Sequence, residues 1–362
     1  MRVLIVGGGI MGCATALELL ERDPSVEVTL LERAVPGAEA STAAAGILGA
    51  QAESHDVNDT QGLRLFLRAR AAYPEWAARL GETGVHVGYR KCGVLRLAFT
   101  EDEAARLRAM AQAQEAQGAR VELVTNPRDV EPTASPEARL GAFFPDDAQV
   151  DPPRLLRAIL ARLAREPRMS LRSGTTVRSL AIRSGACEGV HLDDALLEAD
   201  ATVLAAGSFS ALVPGAPEAA LRVRPIRGQM AELEERLPQT STIVFGDSAY
   251  VVPRGDGRIV CGSTMEDVGF ARAVTVAGVT KLLGGALRAV PSLEEAEVVR
   301  TWCAFRPYVP APEARSLHDA APPLIGRSDL PGLFLATGHH RNGILLAKLT
   351  AEAVTSAILV DD

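Results

Sequence analysis

Arg2-Val3-Leu4-Ile5-Val6-Gly7-Gly8-Gly9-Ile10-Met11-Gly12 runs from an apolar, β-branched stretch straight into glycines. Residues 2–6 read as a buried parallel strand, because a strand covered on both faces has no need to alternate. Ile10 to Glu21 carries apolar residues at helical spacing, and Val26 to Leu31 is a second buried strand. This is a βαβ opening. Gly7, Gly9 and Gly12 satisfy GxGxxG, and Glu32 ends the second strand 20 residues after Gly12. Glycines permit the tight turn and the close approach of backbone to a pyrophosphate. The helix N-terminus attracts that anion, and the acid accepts from ribose hydroxyls. The plain alternative is an ordinary glycine-rich turn. The strand before it, the helix after it and the acid beyond it favour dinucleotide binding, with NAD and FAD not separated by the motif.

Outward from this unit, residues 62–80, 101–117 and 152–165 read as helices, the last with Pro152 and Pro153 at its start, where a missing N–H costs little. Shorter alternating runs lie between them: Gly93–Phe99, Thr176–Ile182, Ala249–Val252 and Arg258–Cys261. The last two flank Arg254-Gly255-Asp256-Gly257, a hairpin turn signal. Ala201–Ala205 and Leu333–Thr337 are solid apolar strands again, ending at Gly207 and Gly338, and Ile344–Ile358 reads as a helix. The chain therefore leaves and re-enters a parallel sheet. The expected fold class is α/β: a Rossmann-like cofactor domain with an inserted, mainly antiparallel β domain for the substrate. The cofactor domain takes residues 1–90, 150–220 and 322–362, and the inserted domain 91–149 and 221–321. Residues 308–323 read as a loop.

Composition narrows the function classes. With 362 residues, two domains are the natural expectation, and 47% hydrophobic residues can fill large cores. A net charge of −7 argues against a nucleic-acid partner. Cysteines 13, 92, 187, 261 and 303 lack CxxC spacing, so neither a disulfide framework nor a zinc site is suggested. No His/Asp/Glu cluster has ligand spacing, and no metal is expected. A reducing cytoplasm fits, and neither a targeting segment nor a membrane span is expected. Lysine occurs only at 91, 281 and 348, so a lone arginine carries little functional weight here.

Two later segments bear on the cofactor. Ser41-Thr-Ala-Ala-Ala-Gly46-Ile47 has nothing bulky, which suits backbone lying against a flat ring system; a close helix contact is the plainer reading. Gly338-His339-His340-Arg341-Asn342-Gly343 opens a second helix, whose N-terminus suits the electron-rich edge of a reduced flavin. An NAD enzyme has no use for such a second helix end. With these segments, and with GVLRLAF at 93–99, DDAQVDP at 146–152, YVVPRGDGR at 250–258 and Arg306-Pro307, the chain resembles the glycine oxidases of bacterial thiamine biosynthesis, within the D-amino-acid oxidase superfamily.

The resemblance implies non-covalent FAD. It places contacts at Ile10, Met11, Glu32, Arg33, Ala40 and Ser41, along the flavin at Ala45, Gly46 and Ile47, at Val177, and through the loop from His339 and His340 to Ile344 and Leu345. It places substrate contacts at Tyr250, Arg306 and Arg341. These types suit a zwitterion: arginine offers a planar fork of fixed charge for a carboxylate, and a tyrosine hydroxyl adds a donor. The histidines are expected to shape the loop and not to act as bases, since the α-hydrogen leaves as hydride in this family. Related sarcosine oxidases carry flavin on a cysteine near the place of Cys303; here a small buried cysteine is the expectation. The link Tyr308–Ala321 is about eight residues longer than the family's usual one. The implied activity is oxidation of a small amino acid, glycine first, then sarcosine or small D-amino acids, with oxygen as second substrate and a homo-oligomer (tetramer or dimer) as the assembly. Two other readings stay open. One is an FAD-dependent amino-acid dehydrogenase, acting for example on D-hydroxyproline and passing electrons to a carrier. The other is a flavin-binding subunit with little activity alone.

Overall fold

The computed structural model describes residues 1–54 and 59–360. Residues 55–58 and 361–362, which fall within the expected 1–90 and 322–362 segments, lie outside the described residues.

The opening strand Arg2–Val6 sits inside a six-stranded sheet. Across that sheet the order is Leu324–Arg327, Leu333–Thr337, Ala201–Leu204, Arg2–Val6, Glu27–Leu31 and Met169–Arg172. Every pairing is parallel except the one made by the edge strand Leu324–Arg327. Both faces are covered, which is why these strands read as unbroken apolar runs. Val3, Ile5, Val28 and Leu30 join a core with the helices Ile10–Arg22, Pro152–Leu163 and Gly343–Leu359. Leu4, Val6, Leu31 and Leu204 face a smaller core that includes Leu180 and Val190 of the antiparallel strands Ser179–Arg183 and Ala186–His191.

The second sheet has eight strands, in the order Glu297–Tyr308, Arg224–Glu234, Arg258–Gly262, Tyr250–Pro253, Ile243–Phe245, Val94–Ala98, Leu140–Phe144 and Glu122–Val124. Its pairings are antiparallel, except between Ile243–Phe245 and Val94–Ala98. Alternation along the strands feeds two cores. Val94, Met230, Val252 and Val260 pack with Leu107 and Met110 of the helix Glu101–Glu115. Leu95, Ala231, Val251 and Cys261 pack with Leu282 and Ala286 of the helix Val276–Ala289. A small separate sheet pairs Ile47–Leu48 with Ala148–Gln149; Leu48 and Ala148 pack in the core of the first sheet and Ile47 in a core of the second. The Arg254 guanidinium donates to Gln149 Oε1 and Val150 O, both at 2.9 Å, and to Ala45 O at 2.7 Å.

Two sequence expectations need adjustment. The helix expected over 62–80 is two helices, Thr60–Ala71 and Tyr73–Gly81. Pro74 lies in the first turn of the second, where its missing N–H is harmless; inside one continuous helix the same proline would remove a backbone bond. The run expected from Thr176 becomes a strand only at Ser179. Residues 175–178 instead pass the end of Glu27–Leu31, where Thr175 N donates to Glu32 O at 2.9 Å.

Candidate active site

The two sheets enclose a cavity of ≈ 420 Å³ that runs from Gly7 and Glu32 at one end to Tyr250 and Arg306 at the other. The Gly7–Gly12 turn builds the first end. Gly7 has φ +114 and donates its N–H to Leu31 O at 2.8 Å; a Cβ there would collide with Ala205 O. A Cβ at Gly12 would collide with Gly7 O, so Gly12 serves the packing of helix on turn and does not itself line the cavity. Gly9, Ile10 and Met11 do line it. The helix Ile10–Arg22 opens with no side-chain cap on Gly9 and no acid in its first turn. Ile10 N donates to Ser41 Oγ at 2.9 Å. An uncapped helix start facing a cavity is a natural seat for an anion.

Glu32 stands at the end of Glu27–Leu31 with its two oxygens on separate backbone amides, Gly8 N and Ala34 N, each at 2.9 Å. A carboxylate offers about four lone-pair positions, so acceptor capacity is left for a ligand hydroxyl. Arg33 lies over the Phe209 ring at 3.6 Å and pairs with Glu39 at 2.9 Å. Val177 lines the same end, and so does Gly207 at φ +53.

The middle of the cavity is walled by backbone and small side chains: Ala40, Ser41, Ala45, Gly46 and Ile47. Gly46 has φ +75, and a Cβ there would collide with Val150 O. Opposite is the turn after Leu333–Thr337. Gly338 (φ +80) and Asn342 shape that turn from outside the lining, and Leu345 is buried in the core beneath it. His339, His340, Arg341, Gly343 and Ile344 line the cavity. The helix Gly343–Leu359 also starts without a side-chain cap or a first-turn acid. His339 is buried, with Nε2 at 2.9 Å from Thr350 Oγ1 and Nδ1 without a partner. Burial pushes both imidazoles down to about 3, helped at His340 by the nearby Arg306 and Arg341 charges. At neutral pH both rings are therefore uncharged and very weak bases.

The other end is made largely by the second sheet. Arg306 reaches across Gly228, and a Cβ at Gly228 would collide with the guanidinium. Its Nη1 donates to Thr264 O at 3.2 Å and its Nη2 to Ser263 Oγ at 2.6 Å. Tyr250 reaches across Gly262 in the same way, its hydroxyl 3.5 Å from Met230 Sδ. Burial raises the phenol's pKa, so the hydroxyl remains a donor. Arg341 completes the group, its Nη2 donating to Glu53 Oε2 at 2.7 Å and its Nη1 lying 3.3 Å from His318 Nδ1. Burial lowers the pKa of Arg306, and both Tyr250 and Arg341 bear on its charge. The three residues named from the sequence thus meet in one cavity. Sequence reasoning missed Gly228, Gly262, Ser263 and Glu53. Glycine inside a strand was the available signal for the first two, because it marks close approach. Cys303, expected to be buried, is half-buried and does not line the cavity. Among the described residues, no group of three or more His, Cys, Asp or Glu side chains could hold a metal ion.

A cavity lined by two helix starts without first-turn acids, by the Glu32 carboxylate and by a wall of small residues suits a flavin dinucleotide. Comparison with known proteins agrees. The family model described as FAD dependent oxidoreductase matches residues 2–357. The bifunctional protein ThiO/ThiG of Trichormus variabilis is 35% identical over 99% of this chain and 52% of its own length, so the chain spans about half the length of that relative. Glycine oxidase of Geobacillus kaustophilus is 35% identical over 98% of this chain and 92% of its own. A crystal structure of glycine oxidase from Geobacillus kaustophilus aligns with a TM-score of 0.90 and 32% identity, covering 99% of this chain and 95% of that one.

Proposed function

The chain belongs to the FAD dependent oxidoreductase family, with FAD as its cofactor, and from that premise we propose that it oxidises a small amino acid, glycine first, with oxygen as acceptor. The sum of the reaction is amino acid, oxygen and water giving oxo acid, ammonia and hydrogen peroxide. When bound, FAD would supply the two-electron acceptor for the substrate α-hydrogen. The residues that would hold it are those of the Gly7–Met11 turn, Glu32 with Arg33, the Ala40–Ile47 stretch, Val177 and the His339–Ile344 turn, most of which line the cavity.

The observation that carries this reading is the convergence of Arg306 and Tyr250 across Gly228 and Gly262 at one end of that cavity. Arg306 binds the substrate carboxylate and Tyr250 donates its hydroxyl to the same group. For a molecule as small as glycine, the carboxylate is the one large handle that can fix the α-carbon in place. Phe305, Ala304 and Met230 line the cavity together with Arg306. No protein base is called for, which agrees with two uncharged histidines of low basicity.

On this reading the chain divides into a cofactor domain (1–90, 150–220 and 322–362) and a substrate domain (91–149 and 221–321), and FAD is held without a covalent bond. A place in thiamine biosynthesis rests on the likeness to ThiO. Five free cysteines suit a reducing cytoplasm, and among the described residues no helix is long and apolar enough to cross a membrane. A homo-oligomer is the proposed assembly. The test is an oxygen-free screen of the purified holoenzyme across glycine, sarcosine, small D-amino acids and simple amines. Glycine is expected to bleach the flavin absorbance faster than any carboxylate-free amine. A flavin bleached by none of the amino acids would overturn the proposal.

A further inference from the structure

The substrate end of the cavity contains a carboxylate that amino-acid oxidation does not itself require. Glu53 lines the wall, and Arg341 Nη2 donates to its Oε2 at 2.7 Å. The pair is largely withdrawn from solvent, with side chains 20% and 12% exposed. The local backbone makes room for it. Glu53 N donates to Gly49 O at 3.1 Å, and a Cβ at Gly49 would stand only 3.2 Å from Glu53 Cγ. Its charge acts on Tyr250, Arg306 and Arg96. Arg306 is situated differently: its hydrogen-bond acceptors, Thr264 O and Ser263 Oγ, are neutral.

A site built only to attract a carboxylate would present its guanidinium groups without an acid among them. An acid placed there repels any simple anion that enters. It attracts an ammonium, which a zwitterion carries and a simple carboxylate lacks. Like-charge contact in a desolvated site is penalised, and discrimination between two ligands often depends on such a repulsive element.

We propose that Glu53, paired with Arg341, is a specificity-determining residue that makes the site select a zwitterionic amino acid over a simple carboxylate. The inference rests on the amino-acid reading above and deepens it. Arg306 anchors the carboxylate, and Glu53 rejects ligands that bring a carboxylate without an ammonium.

The experiment compares holoenzymes of wild type, Glu53→Gln and Glu53→Asp, matched for flavin content. Acetate binding is read from perturbation of the flavin absorption spectrum, and glycine from the KM and kcat of oxidation. Glu53→Gln is expected to bind acetate about tenfold more tightly while the KM for glycine rises, with opposite signs for the two ligands. Glu53→Asp keeps the charge and is expected to retain the wild-type order. Acetate binding in Glu53→Gln that is unchanged, or weakened in step with glycine, would overturn the inference, since loss of shape alone weakens both. The two readings fail separately. A wild type that turns over glycine while Glu53→Gln keeps its selectivity sinks this inference alone, whereas a wild type that is reduced by no amino acid sinks both.

Discussion

Two residues carry most of the account. The sequence marks Glu32 by its distance from the glycines; the structure adds that its carboxylate already ties Gly8 and Ala34 together. Loss of Glu32 therefore loosens the turn and, on the proposed reading, removes the ribose acceptor. Each charge-assisted hydrogen bond is worth about 1.5–3 kcal/mol. Glu32→Ala is expected to purify with much less FAD and to recover activity in excess FAD, read by the flavin-to-protein absorbance ratio. Undiminished occupancy would remove Glu32 from the cofactor site. Arg306 is the other. Removing one partner of a desolvated charge pair costs about 2–5 kcal/mol, or roughly 30- to several-thousand-fold. Arg306→Ala is expected to lose kcat/KM for glycine on that scale while keeping its flavin, and Arg306→Lys to recover only part, since lysine lacks the fork. Near-normal glycine oxidation by Arg306→Ala would show the anchor to be misplaced.

At the scale of elements, legibility followed how locally each feature is determined. Arg2–Val6 and Leu333–Thr337 were readable to the residue because both faces of their sheet are covered. The strands Arg224–Glu234 and Glu297–Tyr308 were not, because their residues are chosen by partners far away in the chain. Gly228 is the clearest case. Nothing around it in sequence says that Arg306, on the neighbouring strand, needs the space. Glu53 lies six residues past the small-residue stretch 41–47, and its partner Arg341 stands 288 residues on, beyond the reach of pattern. The long link after Tyr308 was legible only as a loop. It is an ordered one: Tyr308 donates its hydroxyl to Asp319 O at 2.9 Å, Pro310 bridges Ala320, and Asp319 accepts from the amides of Arg315 and Ser316 at 2.8 Å. It also sets His318 beside Arg341. Shortening this link is expected to change the ranking of amino-acid substrates while the flavin spectrum stays intact. A ranking unaltered across glycine, sarcosine and D-alanine would reduce the loop to surface decoration.

For the whole molecule, the proposed division of labour is between a mostly parallel sheet that offers helix starts to a dinucleotide and a mostly antiparallel sheet that offers side chains to a substrate. The cavity exists only where the two meet, so neither sheet alone makes a site. Cys303 stands outside the lining, and non-covalent attachment is the proposed mode. Acid precipitation is expected to release the yellow colour into the supernatant; colour kept in the pellet, and lost in Cys303→Ser, would contradict this. The central claim is that this one chain, loaded with FAD, completes the oxidation of a small amino acid using oxygen. The direct measurement is hydrogen peroxide formed by the purified holoenzyme with glycine in air and no added carrier. The account predicts one peroxide for each glycine consumed; glycine that bleaches the flavin yet yields peroxide only negligibly, with turnover restored by an artificial electron carrier, would contradict it.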